Sequence, residues 1–235
     1  MQNEEIIISI LTHNKLEFTK RCIDRILKNT ISPYYRIVVT DNCSTDGTRL
    51  WLERLGNKIR LIKNNENVGF SKAHNAVMRA YRNNDIVLMN NDIEVPTKWL
   101  LTLHEEAYFR DYGAVSPAIV TSRGLDVGAV LDSNARGKSL IDDFETEPDW
   151  ITGSCLYLKS ETIEKNGYLD DNFNFYYEDV DYCLRMKQAG IKFKCIKEVA
   201  VIHHNSVSSN PDQKRMMLEQ SRQYIASKYS ERFTA

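Results

Sequence analysis

Polar and turn-forming residues in this sequence gather just beyond its apolar runs. Thr12, His13 and Asn14 follow the run at 6–11, and Asp41, Asn42, Ser44, Asp46 and Gly47 follow 36–40. Asn90, Asn91 and Asp92 follow 85–89. An acid beside two amides suits a hard divalent cation such as Mg2+ or Mn2+, which binds through oxygen, often uses only one or two carboxylates, and fills its shell with phosphate and water. Asp92 is the ligand on that reading; the structural alternative is an Asx turn ahead of Pro96 and a helix at Trp99. Taken alone, Asn14 or Asp46 is a helix cap. Convergence of three such sets on one sheet edge is what suggests a site.

Two later clusters add acids and imidazoles. Glu178, Asp179 and Asp181 open an amphipathic helix, where acids complement the helix dipole and Asp181 lies four residues before Arg185. The same acids follow Phe173, Phe175, Tyr176 and Tyr177, an aromatic wall that would desolvate a carboxylate and raise its pKa toward that of a useful base. His203 and His204 end another apolar run, 199–202, and neutral imidazole is a ligand for Mn2+-like ions. Strand alternation turns one of the two inward, and the sequence leaves open which.

The elements that must position these residues come from hydrophobic period. Runs at 6–11, 36–40, 58–63 and 85–89 alternate with helical patterns that begin at Asn14, where Glu17 follows as a capping box, and span 48–55 and 70–81. Strand and helix alternate four times in the first 90 or so residues, which implies βαβ crossovers, a mostly parallel sheet, and ligands beyond the strands' carboxyl ends. Further strands are expected at 114–120, 154–158 and 192–196, and helices at 179–189 and 212–229. The polar stretch 121–149 shows no clear period and is expected to be a loop-rich insertion or flap.

Composition bounds the alternatives. The chain has 235 residues, 42% hydrophobic and 27% charged, with 31 basic and 32 acidic side chains and a net charge of −1. It can bury a sizeable single core. Near-zero charge disfavours nucleic acid as the main partner. No apolar run is long enough to span a membrane, and residues 1–5 do not open a signal peptide, so a cytoplasmic location is expected. Cys22, Cys43, Cys155, Cys183 and Cys195 are odd in number and include no CxxC pair, so all five are read as reduced thiols. Lys214, Arg215, Arg222, Lys228 and Arg232 are read as a solvated helix face, the alternative being peripheral contact with an anionic membrane.

Read together, ILTHNK at 10–15, IVVTDNCSTDGT at 37–48, NNENVGFSKAHN at 64–75, DIVLMNND at 85–92, WITGSCLYLK at 150–159, FYYEDVDYCLR at 175–185 and AVIHHNSVSS at 200–209 resemble family 2 glycosyltransferases of the GT-A fold. The resemblance is to bacterial rhamnosyltransferase-like members that build surface polysaccharides. It implies an α/β fold with a mostly parallel central sheet flanked by helices. The expected organisation is one domain with a nucleotide-binding half at 1–92, an acceptor-binding half at 93–210 and a C-terminal helix at 211–235.

The resemblance further implies inverting transfer of a sugar from a UDP- or dTDP-sugar to a hydroxyl of a glycan or lipid-linked saccharide, assisted by Mn2+ or Mg2+. Carried over by position, Thr12, Asn14 and Asp41 line the nucleoside pocket, while Asn67, Gly69, Asn75 and Asn91 shape the donor site. Asp92 is the last acid of the DXD motif, with Asn90 at the first position, and His203 or His204 completes the metal or diphosphate site. Asp179 is the catalytic base, with Trp150, Thr152, Gly153, Glu178 and Asp181 on the acceptor side. A nucleotide-sugar-binding module without activity would not need Asp179. A nucleotidyltransferase of similar architecture would carry glycines after its first strand, which ILTHNK lacks.

Overall fold

The computed structural model describes residues 5–31, 34–173, 175–205 and 210–233. Its first half alternates β1 (Ile6–Thr12), α1 (Leu16–Asn29), β2 (Tyr35–Asp41), α2 (Thr48–Arg54), β3 (Arg60–Lys63), α3 (Phe70–Ala80) and β4 (Ile86–Asn90). The strands pair in parallel in the order β3-β2-β1-β4. Nearly every β1 position is apolar because both faces are covered: Ile8 and Ile10 pack with Cys22, Ile23 and Ile26 of α1, while Ile7 shares the opposite core with Val77 and Met78 of α3.

The second half extends the same sheet. It comprises β5 (Ile93–Glu94), α4 (Trp99–Phe109), β6 (Ala114–Thr121), β7 (Gly124–Leu131), β8 (Gly137–Ile141), β9 (Cys155–Leu158), α5 (Ser160–Asn166), α6 (Glu178–Gln188), β10 (Phe193–His203), α7 (Pro211–Lys228) and α8 (Ser230–Phe233). From β4 the order continues β9-β6-β10-β5. β9 runs antiparallel to both β4 and β6, which carries residues 152–154 to the carboxyl end of β4. β5 pairs with the end of β10 through Ile93 and His203.

Three local expectations are corrected. The stretch 121–149 is less loop-rich than expected: β7 pairs with both β6 and β8 and buries Val127 and Ala129, while 132–136 and 142–149 are irregular. The capping box at Asn14 does not form, because Asn14 and Lys15 are left-handed at φ 59° and 64°, whereas a capping residue is usually extended. Asp46 caps α1 instead, accepting from the Leu16 amide at 3.0 Å, and the Asn14 side chain accepts from the Thr45 amide at 2.7 Å. The strand at 192–196 continues to His203 through an irregularity between Ile196 and Ala200. All five cysteines are free.

The basic residues of the last two helices mostly turn toward the domain. Lys228 pairs with Asp170 and Asp181, each at 2.7 Å, Arg232 pairs with Asp149 at 2.6 Å, and Arg222 donates to the Asn134 carbonyl at 2.7 Å. Ile225 is fully buried in a small core with Phe173, Val180 and Leu184. No helix among the described residues is long and apolar enough to cross a membrane. Asp181 is the hub of this docking: it is wholly buried and also accepts from Arg185 Nε at 2.9 Å and Tyr229 Oη at 2.8 Å. Asp181→Ala leaves two cations without their shared partner and should lower the unfolding free energy by about 3 kcal/mol in urea titrations; an unchanged midpoint would show that α7 is held by its apolar face alone.

Candidate active site

A cavity of about 750 Å3 opens beyond the carboxyl ends of the central strands. It is walled by the end of β4, the β6–β8 strands, residues 150–154, the start of α6, the end of β10 and one face of α7.

Residues 152–154 form a tight turn in which Ser154 N donates to Thr152 Oγ1 at 3.1 Å and the two hydroxyls lie 2.8 Å apart. The Gly153 amide donates to Asp179 Oδ2 at 2.9 Å, and the Ser154 carbonyl accepts from the Asn90 amide at 2.9 Å. One turn therefore ties the strand that leads to Asp92 to the helix that carries Asp179. Space favours glycine here: a Cβ at 153 would stand 3.0 Å from the Asp179 Cβ, so a larger residue would have to push the base candidate back.

Asp92 and His203 meet because β5 bridges to β10, leaving His203 Nε2 at 3.2 Å from Asp92 Oδ1 and 3.4 Å from Asn90 Nδ2. His204 does not join them. Its Nε2 lies 2.7 Å from Glu94 Oε1 and its ring centroid 5.3 Å from that of Phe18, so the alternation that turns His203 toward the cavity turns His204 away.

Asp179 and Glu178 occupy the first turn of α6, after Tyr176 and Tyr177 in left-handed conformation at φ 69° and 67°. Such backbone is strained for bulky residues and needs support, which the Tyr177 hydroxyl supplies by donating to the Ala135 carbonyl at 3.0 Å. Burial raises the Asp179 pKa and outweighs the Gly153 and Val180 amides that favour its charge. Burial, then the Asp179 charge, pushes Glu178 up to about 8, and Glu178 Oε2 is buried without a hydrogen-bond partner among the described residues.

The other expected residues divide. Asn67, Asn91, Trp150 and Gly153 line the cavity. Asn67 accepts from the Asn42 side chain at 3.0 Å and from the Gly69 amide at 3.1 Å, where Gly69 opens α3 at φ 86°. Asn91 donates to Thr12 Oγ1 at 3.1 Å and Thr19 Oγ1 at 2.8 Å, so Thr12 braces the wall from behind, and Asn14 is turned to Thr45. Asp41 is wholly buried, ion-paired to Arg49 and accepting from Ser44 N. Asn75 also lies behind the wall: its side chain bonds both Leu169 backbone groups, at 2.8 and 2.9 Å, and Asp171 at 2.7 Å. Asp181 is consumed by the docking of α7 rather than facing an acceptor. Buried polar side chains need partners, and these three have found theirs inside the protein.

Asp126 on β7 and Lys214 on α7 line the cavity without having been expected there. Leu125, Val127, Ala129 and Leu131 alternate with period two, a strand signal that would have placed Asp126 on a sheet. Nothing local in the sequence places Lys214.

The profile of glycosyl transferase family 2 matches residues 7–176. The chain belongs to that family. Among this family 2 chain's relatives is the low-salt glycan biosynthesis hexosyltransferase Agl10 of Haloferax volcanii, 26% identical over 87% of this chain and 68% of that protein. Another is the N-acetylglucosaminyl-diphospho-decaprenol L-rhamnosyltransferase of Mycobacterium tuberculosis, 24% identical over 75% of this chain and 68% of its own. The solved structure of GalNAc-T7 with UDP, GalNAc and Mn2+ superposes with a TM-score of 0.76 at 14% identity, covering 95% of this chain and 48% of that one. The fold of this glycosyltransferase is accordingly GT-A.

The Glu178 carboxyl carries a consequence for stability. A folded-state pKa above the ordinary 4.5 means that the native protein holds a proton the unfolded chain releases, so stability falls as pH rises from about 4.5 through about 8. Glu178→Gln should remove that slope, gaining on the order of 2 kcal/mol over wild type between pH 5 and pH 8.5 in urea unfolding. Parallel pH profiles of the two proteins would mean the carboxyl is solvated.

Proposed function

We propose that the chain moves a glycosyl group from a nucleoside diphosphate sugar to an acceptor hydroxyl with inversion at the anomeric carbon, with Asp179 as the base. The observation that carries this reading is the turn at 152–154, which joins Asp179 and the Asp92–His203 pair to one cavity. An acceptor hydroxyl is a poor nucleophile until its proton has somewhere to go. Asp179 receives that proton as the acceptor oxygen bonds to the anomeric carbon and the bond to the diphosphate oxygen breaks, through an oxocarbenium-like transition state. A half-buried carboxylate with a raised pKa suits the task, and the Gly153 and Val180 amides hold its two oxygens in place. Glu178 lies beside it, and burial raises both carboxyls of the pair.

Asp92 and His203 fit a divalent cation. Adjacent ligands of an octahedral ion with bonds near 2.1 Å stand about 3 Å apart, close to the 3.2 Å between their donor atoms. Among the described residues no group of three or more His, Cys, Asp or Glu gathers, so the chain offers a sparse set that phosphate and water would complete. Bound there, the ion would supply positive charge for the departing diphosphate. The UDP and Mn2+ named with GalNAc-T7 support a similar donor and ion for this chain, and the mycobacterial enzyme's name supports a lipid-linked saccharide acceptor. UDP- and dTDP-sugars are the favoured donors.

A panel of UDP-, dTDP- and GDP-sugars, assayed by calorimetry and by slow hydrolysis with and without Mn2+, tests the assignment. Asp179→Asn should reduce turnover by a factor on the order of a thousand while donor affinity stays within a few-fold; lost donor binding would remove Asp179 from the role of base. Asp92→Ala should abolish the gain in nucleotide affinity that Mn2+ brings, and an unaltered metal response would place the ion elsewhere.

A further inference from the structure

Among the described residues, Asp92, Asp126, Glu178 and Asp179 are the acids that line the cavity, and Lys214 is the lysine or arginine that does. A diphosphate brings at least two more negative charges into this part-buried space, where opposing charge is felt more strongly than in bulk water. A cation from the chain would offset part of that charge.

Lys214 is placed for that role. Of the other cations on the last two helices, Arg222 is tied to Glu219 and Lys228 to Asp170 and Asp181 on α7, Arg232 is tied to Asp149 on α8, and Arg215 is exposed and does not line the cavity. Lys214 makes no salt bridge among the described residues, and its Nζ lies 5.8 Å from the ring centroid of Tyr176, two residues before Glu178. Stacking on an aromatic face holds an ammonium without using up its hydrogen-bond donors. The presentation is fixed by the helix behind it: Ser221 Oγ donates to the Phe175 carbonyl at 2.9 Å, and Ile225 is fully buried. Met217 and Leu218, one turn on, line the same wall, so this face of α7 belongs to the cavity and not to bulk solvent.

We propose that the Lys214 ammonium is the cavity's diphosphate contact, binding a phosphate oxygen as a compact point charge. Two molecules could bring that diphosphate: the nucleoside diphosphate of the donor, or a lipid diphosphate on the acceptor. The proposal rests on the glycosyltransfer reading of the cavity.

Calorimetry in Mn2+ on wild type, Lys214→Met and Lys214→Arg separates the sources. One arm compares UDP, dTDP and GDP with their monophosphates, and the other compares farnesyl diphosphate with farnesyl monophosphate. Lys214→Met should weaken the diphosphate of one arm about tenfold and leave its monophosphate within twofold, while Lys214→Arg stays within a few-fold of wild type. The arm that responds identifies the source. Lys214→Gln, with thermal unfolding checked for all variants, guards against a local packing effect of methionine. Unchanged diphosphate affinity in both neutral variants would overturn the lysine's role and leave the transfer reading standing. Wild type that binds no nucleotide and no lipid diphosphate would sink both.

Discussion

Two hydrogen bonds from adjacent residues hold the candidate site together. The Gly153 amide fixes the base candidate on α6, and the Ser154 carbonyl fixes the strand that leads to Asp92. They depend on β9 running antiparallel between β4 and β6. A parallel strand in that place would deliver its other end, and Asp179 would lose both its nearest amide donor and its link to β4. The glycine at 153 is the local expression of the same constraint, because helix and turn approach closely enough that a Cβ there would press on Asp179.

Around that turn the protein concentrates negative charge and backbone strain. Burial raises both carboxyls of the Glu178–Asp179 pair, and two consecutive left-handed tyrosines aim them. Neither arrangement favours stability by itself. The surrounding scaffold offsets them: the hairpin of β7 and β8 supplies the carbonyl that receives the Tyr177 hydroxyl's hydrogen and packs Gly137 beneath the Trp150 ring, while α7 is anchored through Asp181 and Asp170 and α8 through Asp149. The α7 helix thus closes the small core behind α6 and presents Lys214 to the cavity from one rigid element.

Several residues that resemble recognition groups brace the protein from within. Asp41 with Arg49, Asn75 with the backbone at Leu169, and His204 with Glu94 are each satisfied inside the protein and stand one layer behind the wall. They set the positions of the loops that do face the cavity, including those carrying Asn67, Asn91 and His203. Their residue types match an active site because holding a polar loop rigid takes the same hydrogen-bonding groups as holding a polar ligand.

The sequence by itself determined the parallel half of the sheet. Its period-two and period-3.6 patterns are local properties of the chain, and β1, β2 and β4 end where the apolar runs end, with Asn90–Asp92 just past β4. It also determined the acids at the start of α6, since a helix onset after an aromatic cluster is a short-range signal. It left open which histidine faces inward, because that is settled by the bridge between His203 and Ile93, residues 110 positions apart in the chain. It misjudged 121–149, where glycines and charges mask strands that form only by pairing with β6. It gave no sign that Asp181 is a docking hub or that Lys214 enters the cavity, because both depend on where α7 lands. Periodicity fixes which face of an element is buried; which distant partner that face meets is decided only when the whole chain packs.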